Sequence, residues 1–467
     1  MGQNVTIAVD QDHESAATLV EANSITCVPD EQRHGSVRDL FTLWFTTNIA
    51  PLPMVTGAMA VQSYGLSLGW AALAIVLGGW VGACVLGACS AQGPQLGLAQ
   101  MIQSRGQFGR YGALLVVGIA TTLYIGFFTS NTVLGGRSLA TLVPGVPLPA
   151  GAMLCALAAA TIGLLGYNVI HWLNRVGMVV MGAGLVAAFV AVLRQMPPGE
   201  LFANRVTPLG FLSTFSLAAV WHISYACYTS DYSRYLPRSV GLRRPFLMST
   251  AGAALGASAA FIFGAAAVAG APAGAEPMKV IATHTGWLGP VLMVLFLMNI
   301  VSHNALNMYG AVLSIITAVQ TFAARWMPGR QARMVLSVVV LAGCLSMATL
   351  SADVFVPRFI ALVILLLLVL APWTTINITD FYLIRRGVYD TEAMFAPDGG
   401  RYGRFRRPAV LAYLLGIAVQ VPFLASSIYT GPVARLLGGL DLGWMVAMPV
   451  TFVAYRLLVA SDRRERA

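Results

Sequence analysis

The chain has 467 residues, of which 57% are hydrophobic and only 10% charged. A soluble domain carries about 25% charged residues, so with a mean hydropathy of +0.75 the composition excludes a water-soluble globular protein and points to a polytopic membrane protein. The net charge of +10 does not imply a nucleic-acid partner, because the arginines fall in short segments between apolar runs, as the positive-inside rule requires.

Residues 1–35 are polar and lack the apolar core of a signal peptide; they are expected to form a mobile cytoplasmic tail. Apolar runs of the ~20 residues needed to cross a bilayer predict twelve helices, at 39–64, 68–91, 111–137, 148–168, 174–194, 208–232, 245–271, 286–322, 333–351, 355–384, 408–428 and 433–457. The eighth is long enough for a bend or an extra interfacial turn. With both termini cytoplasmic, 22 of the 28 Lys and Arg residues fall inside and 6 outside, an asymmetry that supports both the count and the orientation. Residues 461–467 form a second cytoplasmic tail.

The first predicted helix contains Thr46, Thr47, Asn48 and Ala50 around Pro51 and Pro53. Two prolines remove backbone donors and disfavour helix before them, so the segment is either a structural kink or a break where Asn48 faces a polar ligand. In the third, Tyr124 and Phe127 lie three apart on one face, suited to stacking on a flat ring or to core packing. The sixth carries His222, Ser224, Tyr225, Asp231 and Arg234 at the end of an apolar run. Such groups usually face a cavity or a helix interface. Asp231 and Arg234 read as a gate or a structural ion pair. The eighth carries Asn299, Ser302, His303, Asn304 and Asn307; amides present both donors and acceptors, matching the edge of a nucleobase, and interhelical bonding is the alternative. His222 and His303 could relay protons or be satisfied neutral side chains.

Interruptions in the first and sixth helices are what paired broken helices of an inverted repeat produce, with ligand near the midplane. Cys27, Cys84, Cys89, Cys155, Cys227 and Cys344 form no C-x-x-C and read as free thiols. The longest internal loop, 385–407, is basic and Gly-rich. No metal motif, paired carboxylates or nucleophile–base set lies in the spans, so neither an enzyme nor a cofactor is expected.

Several motifs recur in order: Leu43-Trp44-Phe45-Thr46-Thr47-Asn48; the loop 93–105 with Gly93, Pro94, Gly97, Gln100, Met101, Ser104 and Arg105; Asn304-Ala305-Leu306-Asn307-Met308-Tyr309; and Pro372-Trp373 followed by Asp380, Arg385, Gly387, Tyr389 and Asp390. Over residues 36–460 the chain resembles the nucleobase:cation symporter-1 family, in its purine-cytosine permease subgroup. The resemblance implies an all-α polytopic membrane protein with 12 transmembrane helices: a LeuT-type 5+5 inverted repeat (36–200 and 205–387) plus two C-terminal helices (408–460). It implies alternating access and uptake of a nucleobase, or of a related ring such as a hydantoin, allantoin or a thiamine- or pyridoxine-type ring, with H+ or Na+. Carried over by motif position, substrate contacts fall on Tyr124, Phe127, His222, Ser224, Asn304 and Asn307, with Tyr225 and Asn48 beside them. Tyr124, Phe127 and His222 depart from the cytosine-permease pattern. Cation contacts fall on Thr47, Ala50 and Ser302. Valine at position 301 leaves Ser302 as the only nearby hydroxyl on that helix, so a proton is favoured, with His222 or His303 as its carrier.

Overall fold

The computed structural model describes residues 25–466 except 166, 197–198, 200–202, 273, 324, 327, 351 and 427–428. α1 (Val37–Asn48) starts at a capping box in which Ser36 and Asp39 satisfy each other's backbone donors. α2 (Pro51–Gln62) resumes the span with Pro51 at its first position, where a missing N–H forfeits nothing. The interruption expected near the prolines therefore falls at Ile49 and Ala50. α3 (Leu68–Ser90), α4 (Gln92–Leu96), α5 (Gln100–Phe108), α6 (Leu114–Leu142), α7 (Leu148–Leu165) and α8 (Tyr167–Gln195) follow. α9 (Pro208–Tyr225) passes through a 3₁₀ turn, Ala226–Tyr228, into α10 (Thr229–Ser233), the second interruption. Then come α11 (Arg243–Val268), α12 (Pro277–His284), α13 (Leu288–Phe322), α14 (Arg330–Leu350), α15 (Ala352–Thr379) with a π-helical turn over Asp380–Ile384, α16 (Arg407–Ala418), α17 (Pro432–Leu436) and α18 (Gly443–Arg466).

Nine helical stretches among the described residues are long and apolar enough to cross a membrane. The first predicted span is instead two helices of 12 residues, and Leu148–Ile162 and Arg407–Phe423 are shorter apolar helices. The eighth runs unbroken for 35 residues. The last begins at Gly443, not near 433, where only the five-residue α17 stands.

The predicted tail also needs correction. Residues 1–24 lie outside the described residues, but 25–35 are docked. Ile25 and Val28 are buried, Val28 N–H donates to Gly97 O at 2.9 Å and His34 N–H to Tyr235 O at 2.6 Å. Arg33 reaches Pro94 O at 2.6 Å. A polar average hid two apolar anchors and one arginine with carbonyls to satisfy.

Glycines set the close crossings. A Cβ at Gly78 or Gly82 of α3 would strike the carbonyls of Phe215 and Ala219 on α9, and one at Gly252 or Gly256 of α11 would strike those of Phe41 and Phe45 on α1. Small residues four apart let backbones meet where lipid supplies no hydrophobic drive. Large apolar side chains such as Leu154, Val179, Val186, Val335 and Val338 are exposed on the outer faces of α7, α8 and α14, as lipid contact requires. Thr121 and Thr122, on the outward part of α6, return their hydroxyls to carbonyls four residues back, so these donors are satisfied within the helix.

Candidate functional site

Where α1, α6, α9 and α13 meet, aromatic rings form a continuous stack. Phe127 lies parallel to Tyr225 at 5.3 Å between centroids and 15°, and parallel to His303 at 6.4 Å and 27°. Trp221 closes one side edge-on to Phe127 and Tyr225, and Trp44 and Tyr228 meet Tyr225 edge-on at 5.9 and 5.3 Å. Trp221 and Tyr225 lie four apart on one face of α9, and the 3₁₀ turn Ala226–Tyr228 that follows brings Tyr228 beside them. The cluster is closed to solvent: Phe127 is 0% and Tyr225 1% exposed.

Polar atoms inside this cluster are left over. Trp44 Nε1, the Tyr225 and Tyr228 hydroxyls and His303 Nδ1 are buried without a hydrogen-bond partner among the described residues. Each such group costs ~1–3 kcal/mol unless something pairs with it. Four of them around one aromatic stack are a set of directional contacts for a flat, polar-edged ring.

Other predicted site residues are committed elsewhere. Tyr124 donates to Asp231 Oδ2 at 2.8 Å and packs on Gly310, where a Cβ would overlap its ring. Asp231 Oδ1 accepts from Gln100 N–H at 2.8 Å, at the first residue of α5, where helix N–H groups favour an anion. Arg234 donates to Tyr235 and Tyr309 hydroxyls, each at 2.9 Å. These bonds tie α10 and the residue after it to α5, α6 and α13; the Tyr124 hydroxyl is thus committed to Asp231, while its ring packs on Tyr228 of the stack at 4.4 Å between centroids and 37°. Ser224 returns its hydroxyl to Trp221 O at 2.7 Å. His222 points away from the stack, its Nδ1 facing Ala218 O at 3.0 Å and Nε2 facing Ala253 O on α11 at 3.1 Å. Asn304 is held by α6 through Phe128 O, Thr132 Oγ1 and Asn131 Nδ2, and Asn307 donates to its Oδ1 at 3.3 Å. Asn48 accepts from Trp221 Nε1 and donates to Trp44 O, both at 2.7 Å; it orients two walls of the stack.

At the end of α1, Asn299 Nδ2 donates to Thr46 O at 2.7 Å. On these same two helices, α1 and α13, the oxygens Thr47 Oγ1, Asn299 Oδ1 and Ser302 Oγ are buried without partners among the described residues. Ala50 O accepts a long bond from Met54 N–H at 3.4 Å, starting α2. Oxygens left without donors on two helices joined by the Asn299–Thr46 bond are groups that a small cation can use.

The sequence reading missed Trp44, Trp221 and Tyr228 as walls, although helical spacing from Tyr225 points to the last two. It also missed a second polar centre at the end of α15. There the fully buried Asp380 accepts from Tyr389 at 2.6 Å, Tyr455 at 2.7 Å, Arg385 at 2.9 Å and Arg406 at 3.0 Å. Burial, then the charge of Asp380, pushes the Tyr389 phenol well above its ordinary pKa, so it stays a donor. The 385–407 loop is therefore pinned, and Arg105 and Arg110 brace it by donating to Met394, Phe395 and Ala396 carbonyls.

Comparison with known proteins agrees with this architecture. The Bacillus subtilis protein named "Putative purine-cytosine permease YxlA" is 33% identical over 453 residues, covering 96% of this chain and 98% of its own. The Saccharomyces cerevisiae purine-cytosine permease FCY21 is 24% identical, over 92% of this chain and 84% of its own. Among solved structures, Mhp1, a nucleobase-cation-symport-1 family transporter in a closed conformation with bromovinylhydantoin bound, superposes with a TM-score of 0.73 at 18% identity. That match covers 95% of this chain and 97% of Mhp1, and it shows the fold, an all-helical LeuT-type architecture. These relatives are permeases and not enzymes. The family profile described as "Permease for cytosine/purines, uracil, thiamine, allantoin" matches residues 27–447, and the chain belongs to that family.

Proposed function

We propose that the protein imports a nucleobase-type heterocycle with a monovalent cation by alternating access, with both termini cytoplasmic. The observation that carries this reading is the set of four unpartnered polar atoms, on Trp44, Tyr225, Tyr228 and His303, around a stack of aromatic rings. Aromatic pairs sit about 4.5–7 Å apart, so the 5.3 Å contact of Phe127 with Tyr225 leaves no room for a ring between them. Substrate enters by parting these side chains, and its edge then takes up their donors.

For the coupling ion we favour a proton on His222. A neutral imidazole has one N–H, yet both ring nitrogens face carbonyl oxygens; only the imidazolium satisfies both. The unpartnered oxygens of Thr47, Asn299 and Ser302 support a second reading, Na+ at the α1 break.

The test is uptake of radiolabelled cytosine, adenine, guanine, hypoxanthine and uracil into cells without their own permeases, with and without sodium and a protonophore. Accumulation of one base that the protonophore abolishes and sodium leaves unchanged is the expected result. Full sodium dependence with no effect of the protonophore moves the ion to Thr47 and Ser302. No accumulation of any base rejects the nucleobase reading in favour of a hydantoin- or vitamin-like ring.

A further inference from the structure

Away from the aromatic stack, α3, α11, α15 and α18 enclose a crevice of ≈ 710 Å³. Its walls are Phe246, Ile378, Leu383, Met448 and Phe452, with Arg243 at one end. Two of the polar wall groups are internally satisfied: Tyr382 donates to Ala88 O at 2.7 Å and Thr375 to Ala371 O at 2.8 Å. Pro449, inside α18, forfeits a helical bond and hinders close packing there. The crevice faces outward, since Leu383 is 52% exposed and Val453, beside Phe452, also 52%.

The charge at its end is one-sided. Arg243 is exposed, and no ion pair is found for it among the described residues. Arg244 adjoins it, and the Arg456 guanidinium lies over the ring of the wall residue Phe452 at 5.6 Å. Arg243 also opens the 26-residue α11, whose N-cap has no side-chain bond, so free backbone N–H groups add to the positive field.

An apolar slot open to hydrocarbon, ending in arginines and a helix N-terminus, matches one kind of molecule: a phospholipid with an anionic headgroup. Basic pockets between spanning helices on the positively charged side recognise such headgroups. We infer that this crevice is a specific site for an anionic phospholipid, with one acyl chain against Phe246, Met448 and Phe452 and its phosphate held by Arg243 and Arg456. The lipid would brace α18 and α15 against α11.

The test uses the full chain purified in a neutral detergent. Native mass spectrometry and thermal unfolding are followed with added phosphatidylglycerol, with phosphatidylcholine of the same chains, and with inorganic phosphate alone. Phosphatidylglycerol should be retained at least tenfold better than phosphatidylcholine and should raise the unfolding temperature, while phosphate does neither. Arg243→Gln with Arg456→Gln should erase the preference, and the crevice-filling Met448→Trp should lower retention of both lipids. Arg435→Gln, at the opposite end of α18's hairpin, should change nothing. Equal retention of the two lipids, an unchanged preference in the double variant, or a full effect from phosphate alone overturns the proposal. If the double variant does not fold, Met448→Trp decides: undiminished phosphatidylglycerol retention there overturns it as well.

Discussion

Single side chains in the stack are in tension between stability and binding. The Tyr225 hydroxyl is buried without a partner, so Tyr225→Phe should raise the unfolding temperature of the substrate-free protein, since an unmet buried group costs ~1–3 kcal/mol. The same change should raise the KM for the transported ring about three- to tenfold, the effect of one lost hydrogen bond of ~0.5–1.5 kcal/mol. Thermal unfolding and uptake on one variant check both; a fall in stability with KM unchanged would show that the hydroxyl serves the fold. Tyr124→Phe should do the opposite. It strips Asp231 of a 2.8 Å bond, so the maximal rate should fall while the order of preference among bases stays fixed. A changed order would put Tyr124 back among the ring contacts. Asp380→Ala should destabilise by ~3–5 kcal/mol, because removing one partner leaves a buried charge uncompensated, here on Arg385 and Arg406, whose side chains are 16% and 15% exposed. Fluorescence size-exclusion after a heat step would register the loss.

At the scale of elements, the broken helices were legible and the polar commitments were not. Pro51 and Pro53 dictate a break wherever they fall, and the hydroxyl-rich run after Tyr225 announced the second. His222, however, is one residue from Trp221 in sequence and about 100° from it around the helix, so its nitrogens meet backbone carbonyls while the Trp221 ring meets Phe127 and Phe261. Asn304 looked like a ligand because its captors, Phe128 O and Thr132 Oγ1, are set by how α6 crosses α13. No spacing within α13 records that crossing. Asp380, Arg385 and Tyr389 stand together in a sequence motif, but the closure of their cluster by Tyr455, 75 residues on, is set by how α18 packs on α15. The crossings themselves rest on glycine. Gly82→Leu would drive α3 off the Ala219 carbonyl, and Gly256→Leu would drive α11 off Phe45. Either should abolish uptake and leave little monodisperse protein, whereas Gly118→Leu, which meets nothing within 4 Å, should be tolerated.

Across the whole molecule the two interruptions and the two glycine-lined crossings form a matched set. α1 breaks and packs on Gly252 and Gly256 of α11; α9 breaks and packs on Gly78 and Gly82 of α3. Exchanging α1 with α9 and α3 with α11 maps one contact onto the other, the pattern expected when two halves repeat. In the alternating access proposed above, one such pair would move against α6 and α13. The aromatic stack sits between these groups, so such a movement would part rings that here are closed at 5.3 Å.

The docked stretch 25–35 has a practical side. It fastens Gly97 through Val28, Pro94 through Arg33 and Tyr235 through His34, so it works as a hasp across the seam between α4 and the end of α10. A fluorescent tag or protease site meant to leave the carrier's cycle alone therefore belongs ahead of Ile25. One placed at Ser36 would unlatch that seam before any substrate arrives.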